Sequence, residues 1–131
     1  MNLYTIQSKT DSTWVKENVK VYVLYDHTAR LEFKAEDRHG DQLEAYLVNR
    51  KDGSSYITDD GLMLQDLEST GLDMADGSAD WQQVKVIAEN HRIELTADRE
   101  LLAECGEEDF AQKAQALAEC MLEVNGLAAQ A

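Results

Sequence analysis

The chain has 131 residues, 44% of them hydrophobic and 29% charged, with 26 Asp and Glu against 12 Lys and Arg for a formal net charge of −14. That length suits one domain, residues 1–131, burying roughly two-thirds of its unfolded surface, and the composition excludes disordered, collagen-like and mucin-like chains. No apolar run approaches the roughly 20 residues of a bilayer span, and the N-terminus lacks the basic start and apolar stretch of a leader; a cytoplasmic protein with no membrane partner is expected.

The elements follow from periodicity. Leu3, Ile6, Trp14 and Val15 give residues 2–18 a loosely helical period that Thr10-Asp11-Ser12 can interrupt. From Val19 the period becomes two, with Val19, Val21, Val23 and Tyr25 on one face, and Leu31, Phe33 and Ala35 repeat the pattern after the Asp26-His27-Thr28 turn. Further alternating stretches, 42–48 and 55–58, complete a four-stranded antiparallel meander with turns at 37–41 and 52–53. Helical spacing then predicts a short helix from Leu62 to about Gly71 and a second over 79–90. Residues 92–105 fit either a hairpin or a Thr96-capped helix, the hairpin being narrowly preferred. Phe110, Ala114, Leu117, Ala118, Met121 and Val124 define the clearest element, a helix over 110–124 with Asp109 and Gln112 spaced as a capping box and Asn125-Gly126 as its stop. The fold class is α+β, an antiparallel meander packed against several helices, with the C-terminal amphipathic helix on the apolar face of the sheet.

The charge is uneven: residues 1–65 carry a net −3 and residues 66–131 a net −11. Such a chain disfavours direct nucleic-acid binding, because counterion release needs clustered Lys and Arg. Cys105 and Cys120 are too few for a disulfide scaffold and lack zinc-site spacing, so a reducing compartment and core roles fit them. Trp14 and Trp81 read as core or interface anchors.

Taken together, Asp37-Arg38-His39-Gly40-Asp41, Tyr56-Ile57-Thr58-Asp59-Asp60-Gly61, Leu67-Glu68-Ser69-Thr70-Gly71 and the Phe110 to Leu127 helix with its Val124-Asn125-Gly126-Leu127 end resemble the bacterial and phage family catalogued as domain of unknown function 1828. The resemblance spans about Trp14 to Leu127, and the DRHGD and ITDDG stretches are its most specific parts. Lys34-Ala35-Glu36 and the loop after Gly71 depart from the pattern. The resemblance implies an intracellular protein, in several cases carried by prophages, and brings no activity with it.

Two constellations invite a catalytic reading. Asp37, His39 and Asp41 with Asp59 and Asp60 could hold a divalent ion, but turn geometry and helix capping explain them more simply, and a meander places successive loops at opposite ends of a strand. Glu32-Phe33-Lys34 with Asp26 echoes metal-dependent nucleases, yet alternation puts Glu32 and Lys34 on a solvated strand face where cross-strand ion pairing accounts for them. No serine elbow, phosphate loop or His spacing for a metal is present.

The favoured expectation is therefore a non-catalytic acidic binding protein with no cofactor. It would be a phage-carried, anti-CRISPR-like inhibitor of a host nucleic-acid-handling or defence protein with a basic surface, docking through Asp66, Glu68, Asp73, Asp76, Asp80, Glu107, Glu108 and Asp109 as a phosphate mimic. The alternatives are a small metal-dependent nuclease or hydrolase using the Asp37-Asp41 and Asp59-Asp60 clusters, and an accessory subunit of a larger complex.

Overall fold

In the computed structural model, which describes residues 1–130, the chain forms α1 (Ile6–Lys9), α2 (Thr13–Asn18), β1 (Val19–Tyr25), β2 (Thr28–Glu36), β3 (Gln42–Asn49), β4 (Ser55–Thr58), α3 (Leu62–Ser69), α4 (Ala79–Asn90), β5 (Glu94–Leu95), β6 (Leu101–Cys105) and α5 (Phe110–Asn125), then a 3-10 turn over Gly126–Gln130. The α+β architecture expected from periodicity is present.

The N-terminal helical segment divides in two because Ser12 starts a new helix: its hydroxyl accepts from the Val15 N–H at 3.1 Å, and its own N–H donates to Thr10 Oγ1. The expected meander β1 to β4 forms, with Val21 opposite Leu31, Leu31 opposite Ala45 and Leu47 opposite Ile57. Residues 92–105 are the hairpin, but it is not a separate unit. β6 pairs antiparallel with β4, which extends the meander to six strands in the order β1-β2-β3-β4-β6-β5.

One face of this sheet is apolar because every second residue is: Ala29, Leu31, Phe33, Leu43, Ala45, Leu47, Ile57, Leu101 and Ala103 are all buried. α5 lies over it, burying Phe110, Ala114, Leu117, Ala118, Met121 and Val124 at the predicted spacing, and it touches α2, α3, α4, β4 and β6. Burial of a stripe this long supplies the dominant favourable term in folding. Trp14 packs against Phe33 with ring centroids 6.3 Å apart, and both cysteines are buried and free.

One local expectation changes, and two helix ends fall where expected with a geometry of their own. Asp109 makes no side-chain cap to α5; its Oδ1 instead accepts from Gly106 N–H at 2.7 Å, fastening the β6–α5 connection. Gly126 does not stop α5 in the left-handed region, since its φ is −62° and the chain tightens into the 3-10 turn. α3 ends at Ser69, and Gly71 follows with φ +96°, where its N–H bonds to Glu68 C=O and that of Leu72 to Leu67 C=O. That is a Schellman ending, which needs the left-handed conformation glycine adopts without strain.

Candidate functional site

The β2–β3 connection, residues 37–41, is folded by its own side chains. Asp37 Oδ1 accepts from the N–H groups of His39 and Asp41, while Gly40 N–H closes on Asp37 C=O at 3.0 Å. This turn presents Arg38 and His39 to one carboxylate on α3, Asp66. Arg38 grips it with two donors, Nε to Oδ2 at 2.9 Å and an Nη to Oδ1 at 3.1 Å. His39 Nε2 lies 2.7 Å from Oδ1, and Asn125, the buried last residue of α5, donates from Nδ2 to Oδ2 at 3.0 Å. Asn125 Oδ1 in turn accepts from Arg38 N–H at 2.8 Å. Asp66 thereby joins the β2–β3 loop, α3 and the end of α5. Partial burial works against its negative charge, but Arg38, His39 and Asn125 outweigh that and hold its carboxyl below the usual range.

Asp59 is a second bracket, fully buried. Its Oδ1 accepts from Gly61 and Leu101 N–H, both at 2.9 Å, and its Oδ2 accepts from Met63 N–H at 3.0 Å. One carboxylate thus satisfies an orphan donor of α3 and ties that helix's start to β6. Burial pushes this carboxyl up, against the pull of the three N–H donors. Asp60 is exposed at φ +60° and caps nothing; its N–H donates to Thr58 Oγ1.

These positions decide what the sequence-derived aspartates can do together. Residues 37–41 and 59–60 lie at the same end of the sheet, because two strands, β3 and β4, separate them; the opposite-ends argument holds for 37–41 and the 50–54 turn. They do not converge, however, since Asp59 faces the core, Asp37 closes its own turn and His39 is turned to Asp66. Among the described residues no group of three or more His, Cys, Asp or Glu is arranged to hold a metal ion. Glu32 is paired with Arg30 at 3.0 Å, along its own strand rather than across strands.

The eight carboxylates expected to form a docking surface divide among three places. Asp66 and Glu68 are on α3, the latter paired with Arg99. Asp73 and Asp76 belong to the α3–α4 connection and Asp80 to the first turn of α4. There Asp80 Oδ2 accepts from Asp73 N–H at 2.8 Å and Asp73 Oδ1 from Ala75 N–H at 2.9 Å. Glu107, Glu108 and Asp109 lie by the β3–β4 turn, in a cleft shared with Ser54, Ser55 and Glu104, at the other end of the sheet from Asp66. The expected set is therefore not one patch.

Around α3, by contrast, carboxylates gather that periodicity alone did not group. One cleft beside the helix is lined by Asp37, Asp41, Glu44 and Asp66, and another by Asp60, Glu68 and Asp98, with Gln65 common to both. Seven carboxylates thus surround a helix of eight residues, faced by the guanidiniums of Arg38 and Arg99. Such a helix is only about 12 Å long, so these charges lie within one to two screening lengths (about 8 Å at physiological salt) and their fields add. Glu44 and Asp98 escaped the sequence reading because strand pairing and the β5–β6 turn bring them there.

No helix among the described residues is long and apolar enough to cross a membrane. No curated protein and no solved structure matches the chain. The family model described as Domain of unknown function DUF1828 matches residues 35–124, a segment that holds Asp59, Asp66 and the whole α3 surface. The chain belongs to the DUF1828 family.

Proposed function

We propose that this chain is a non-catalytic binding protein whose acidic surface around α3 engages a basic partner. The observation that supports this most is the ring of seven carboxylates, five of which, Asp37, Asp41, Glu44, Asp60 and Asp98, have no ion-pair partner among the described residues. The Arg38–Asp66 and Asp59 brackets hold that ring on a rigid frame, which lowers the ordering cost of association. On this reading the chain inhibits a protein that handles nucleic acid or acts in defence, by occupying a groove that otherwise holds DNA or RNA. Glu107 and Glu108, at the far end of the sheet, form a separate acidic site that the same partner need not touch.

Affinity capture from a bacterial lysate, followed by association kinetics on the captured protein, tests this. The association rate is expected to fall steeply with added salt, and the complex is expected to exclude the partner's nucleic acid. Asp41→Lys with Asp60→Lys and Asp98→Lys should weaken it at least tenfold, and Glu107→Lys with Glu108→Lys should leave it unchanged. Salt-independent binding, or equal loss from both variant sets, would sink the α3 surface as the docking site.

A further inference from the structure

Asn125 stands directly before Gly126, and of the five asparagines in the chain, Asn2, Asn18, Asn49, Asn90 and Asn125, it alone precedes a glycine. An asparagine so placed can react with its own backbone. The peptide nitrogen that follows attacks the side-chain amide carbon, a five-membered imide closes as the amide nitrogen departs as ammonia, and water opens the imide to aspartate or isoaspartate. Glycine leaves the attacking nitrogen least hindered, because it carries no Cβ.

The fold decides when these atoms can meet. Asn125 is the last residue of α5, and Gly126 N–H is bonded back to the carbonyls of Leu122 and Val124, so the helix keeps the nitrogen engaged. The side chain of Asn125 is held firmly: it is buried, its Nδ2 donates to Asp66 Oδ2 at 3.0 Å and its Oδ1 accepts from Arg38 N–H at 2.8 Å. The nitrogen is held less well. The α-helix stops here, the chain beyond tightens into the 3-10 turn, and Gly126 is exposed with nothing within 4 Å of where a Cβ would stand. Helix ends of this kind open first. When this one opens, the amide carbon stays pinned, and Arg38 N–H already points at the oxygen that takes up negative charge as the nitrogen adds.

The product does not fit the place it came from. Arg38 N–H still finds an acceptor, but the Nδ2 donor is replaced by an oxygen at hydrogen-bond distance from the Asp66 carboxylate, whose other partners, Arg38 and His39, are already committed to it. Two carboxylates that close repel each other. We propose that Asn125 is a modification site of this protein: it deamidates through opening of the last turn of α5, and the resulting acid releases the β2–β3 loop and the end of α5 from Asp66. The change is irreversible and falls on the one side chain that joins those two elements to α3. It rests on these contacts and not on whether the α3 surface has a partner.

Incubation of the full chain at physiological temperature and slightly alkaline pH, folded and in urea, with peptide mapping by mass spectrometry, tests this. In urea Asn125 should convert fastest of the five asparagines. In the folded chain it should convert about ten- to a hundredfold more slowly, the cost of opening one helix end, and still ahead of the other four. Gly126→Ala, at a φ of −62° with open space for the Cβ, folds without strain and should slow the folded reaction about tenfold or more. The converted chain, separated by its added negative charge, should exchange the backbone hydrogens of residues 38–41 about tenfold faster than the parent, and Asn125→Asp, where it folds, should match it. Equal rates in the folded and unfolded chain would overturn the proposal, as would an Asn125 still intact in the folded chain after about a hundredfold the unfolded lifetime. So would an unchanged rate in Gly126→Ala, or a converted chain that exchanges residues 38–41 no faster than the parent.

Discussion

Replacing Asp59 with alanine tests the most consequential bracket in the fold. The side chain is fully buried and its two oxygens accept from the N–H groups of Gly61, Met63 and Leu101 at 2.9–3.0 Å. Each buried donor left unpaired costs about 1–3 kcal/mol. Removing the buried charge returns part of that, because burial already raises the Asp59 carboxyl above its ordinary range. The net expectation is a loss of about 3–5 kcal/mol, or roughly 10–20 °C in melting temperature for a domain of this size. Asp59→Asn keeps the oxygen that serves Gly61 and Leu101 but turns an amide donor toward Met63 N–H, so it should lose less, about 1–3 kcal/mol. Asp60→Ala loses no buried bond and meets only the left-handed backbone at φ +60°, a penalty of about 1 kcal/mol. Urea unfolding of the three variants should rank them in that order. Equal stability of Asp59→Ala and Asp60→Ala would refute the bracket and return both residues to the role of simple turn formers.

The Asp66 carboxyl, lowered by Arg38, His39 and Asn125, contributes stability that is fully present above its unfolded pKa and lost as pH falls through the lower folded value. Asp66→Asn should therefore cost about 1–3 kcal/mol at neutral pH and show a shallower acid loss in unfolding measurements; Asp52 and Glu104, also lowered, will keep part of the acid sensitivity. Leu117→Ala, at a fully buried site on α5, should cost about 2–5 kcal/mol by chemical denaturation while leaving partner binding intact. The thiols of Cys105 and Cys120, each pushed up to about 12 chiefly by burial, should react with an alkylating reagent at neutral pH only as fast as the chain opens, so mass spectrometry should find both unmodified until denaturant is added.

Period was enough to read most of the architecture, because burial of one sheet face and one helix stripe is what folds the chain. The alternation of Val19 to Val23, Leu31 to Ala35 and Leu43 to Leu47 names the buried face, though Tyr25, expected to continue it, is turned to solvent by a register irregularity after Val23, and the Phe110 to Val124 stripe names the helix that covers it. What period cannot carry is the partner of a strand distant in sequence. β6 is a five-residue strand whose pairing with β4 spans more than forty residues, so the hairpin was legible while its place inside the sheet was not. The same limit hid the site. Asp59 looks like a helix cap in sequence and also holds Leu101 of β6; Asn125 looks like a helix stop and is a buried ligand of Asp66 and Arg38. The acidic surface was sought in the wrong grouping for a related reason. A count of charge along the chain favours the second half, whereas the ring around α3 mixes Asp37, Asp41, Glu44 and Asp60 from the first half with Asp66, Glu68 and Asp98 from the second.

The carboxylates of this chain thus divide by what their oxygens touch. Asp59 accepts three backbone N–H groups, Asp66 is held by Arg38, His39 and Asn125, and Asp109 closes the β6–α5 corner, so each has its lone pairs engaged inside the fold. An oxygen already accepting at good geometry has little left for a partner's lysine or arginine, and Arg38, bound at two points to Asp66, repels such a partner. A basic protein arriving at α3 would therefore find its contacts at Asp41, Glu44, Asp60 and Asp98, around the Arg38–Asp66 pair rather than through it. Removing Asp66 would then lower stability and loosen the β2–β3 loop, weakening binding only as far as Asp41 loses its fixed position. That separation lets a chain with a large excess of negative charge stay folded: the acids that build the frame are neutralised or hydrogen-bonded at short range, and those left to solvent repel one another only through screened water.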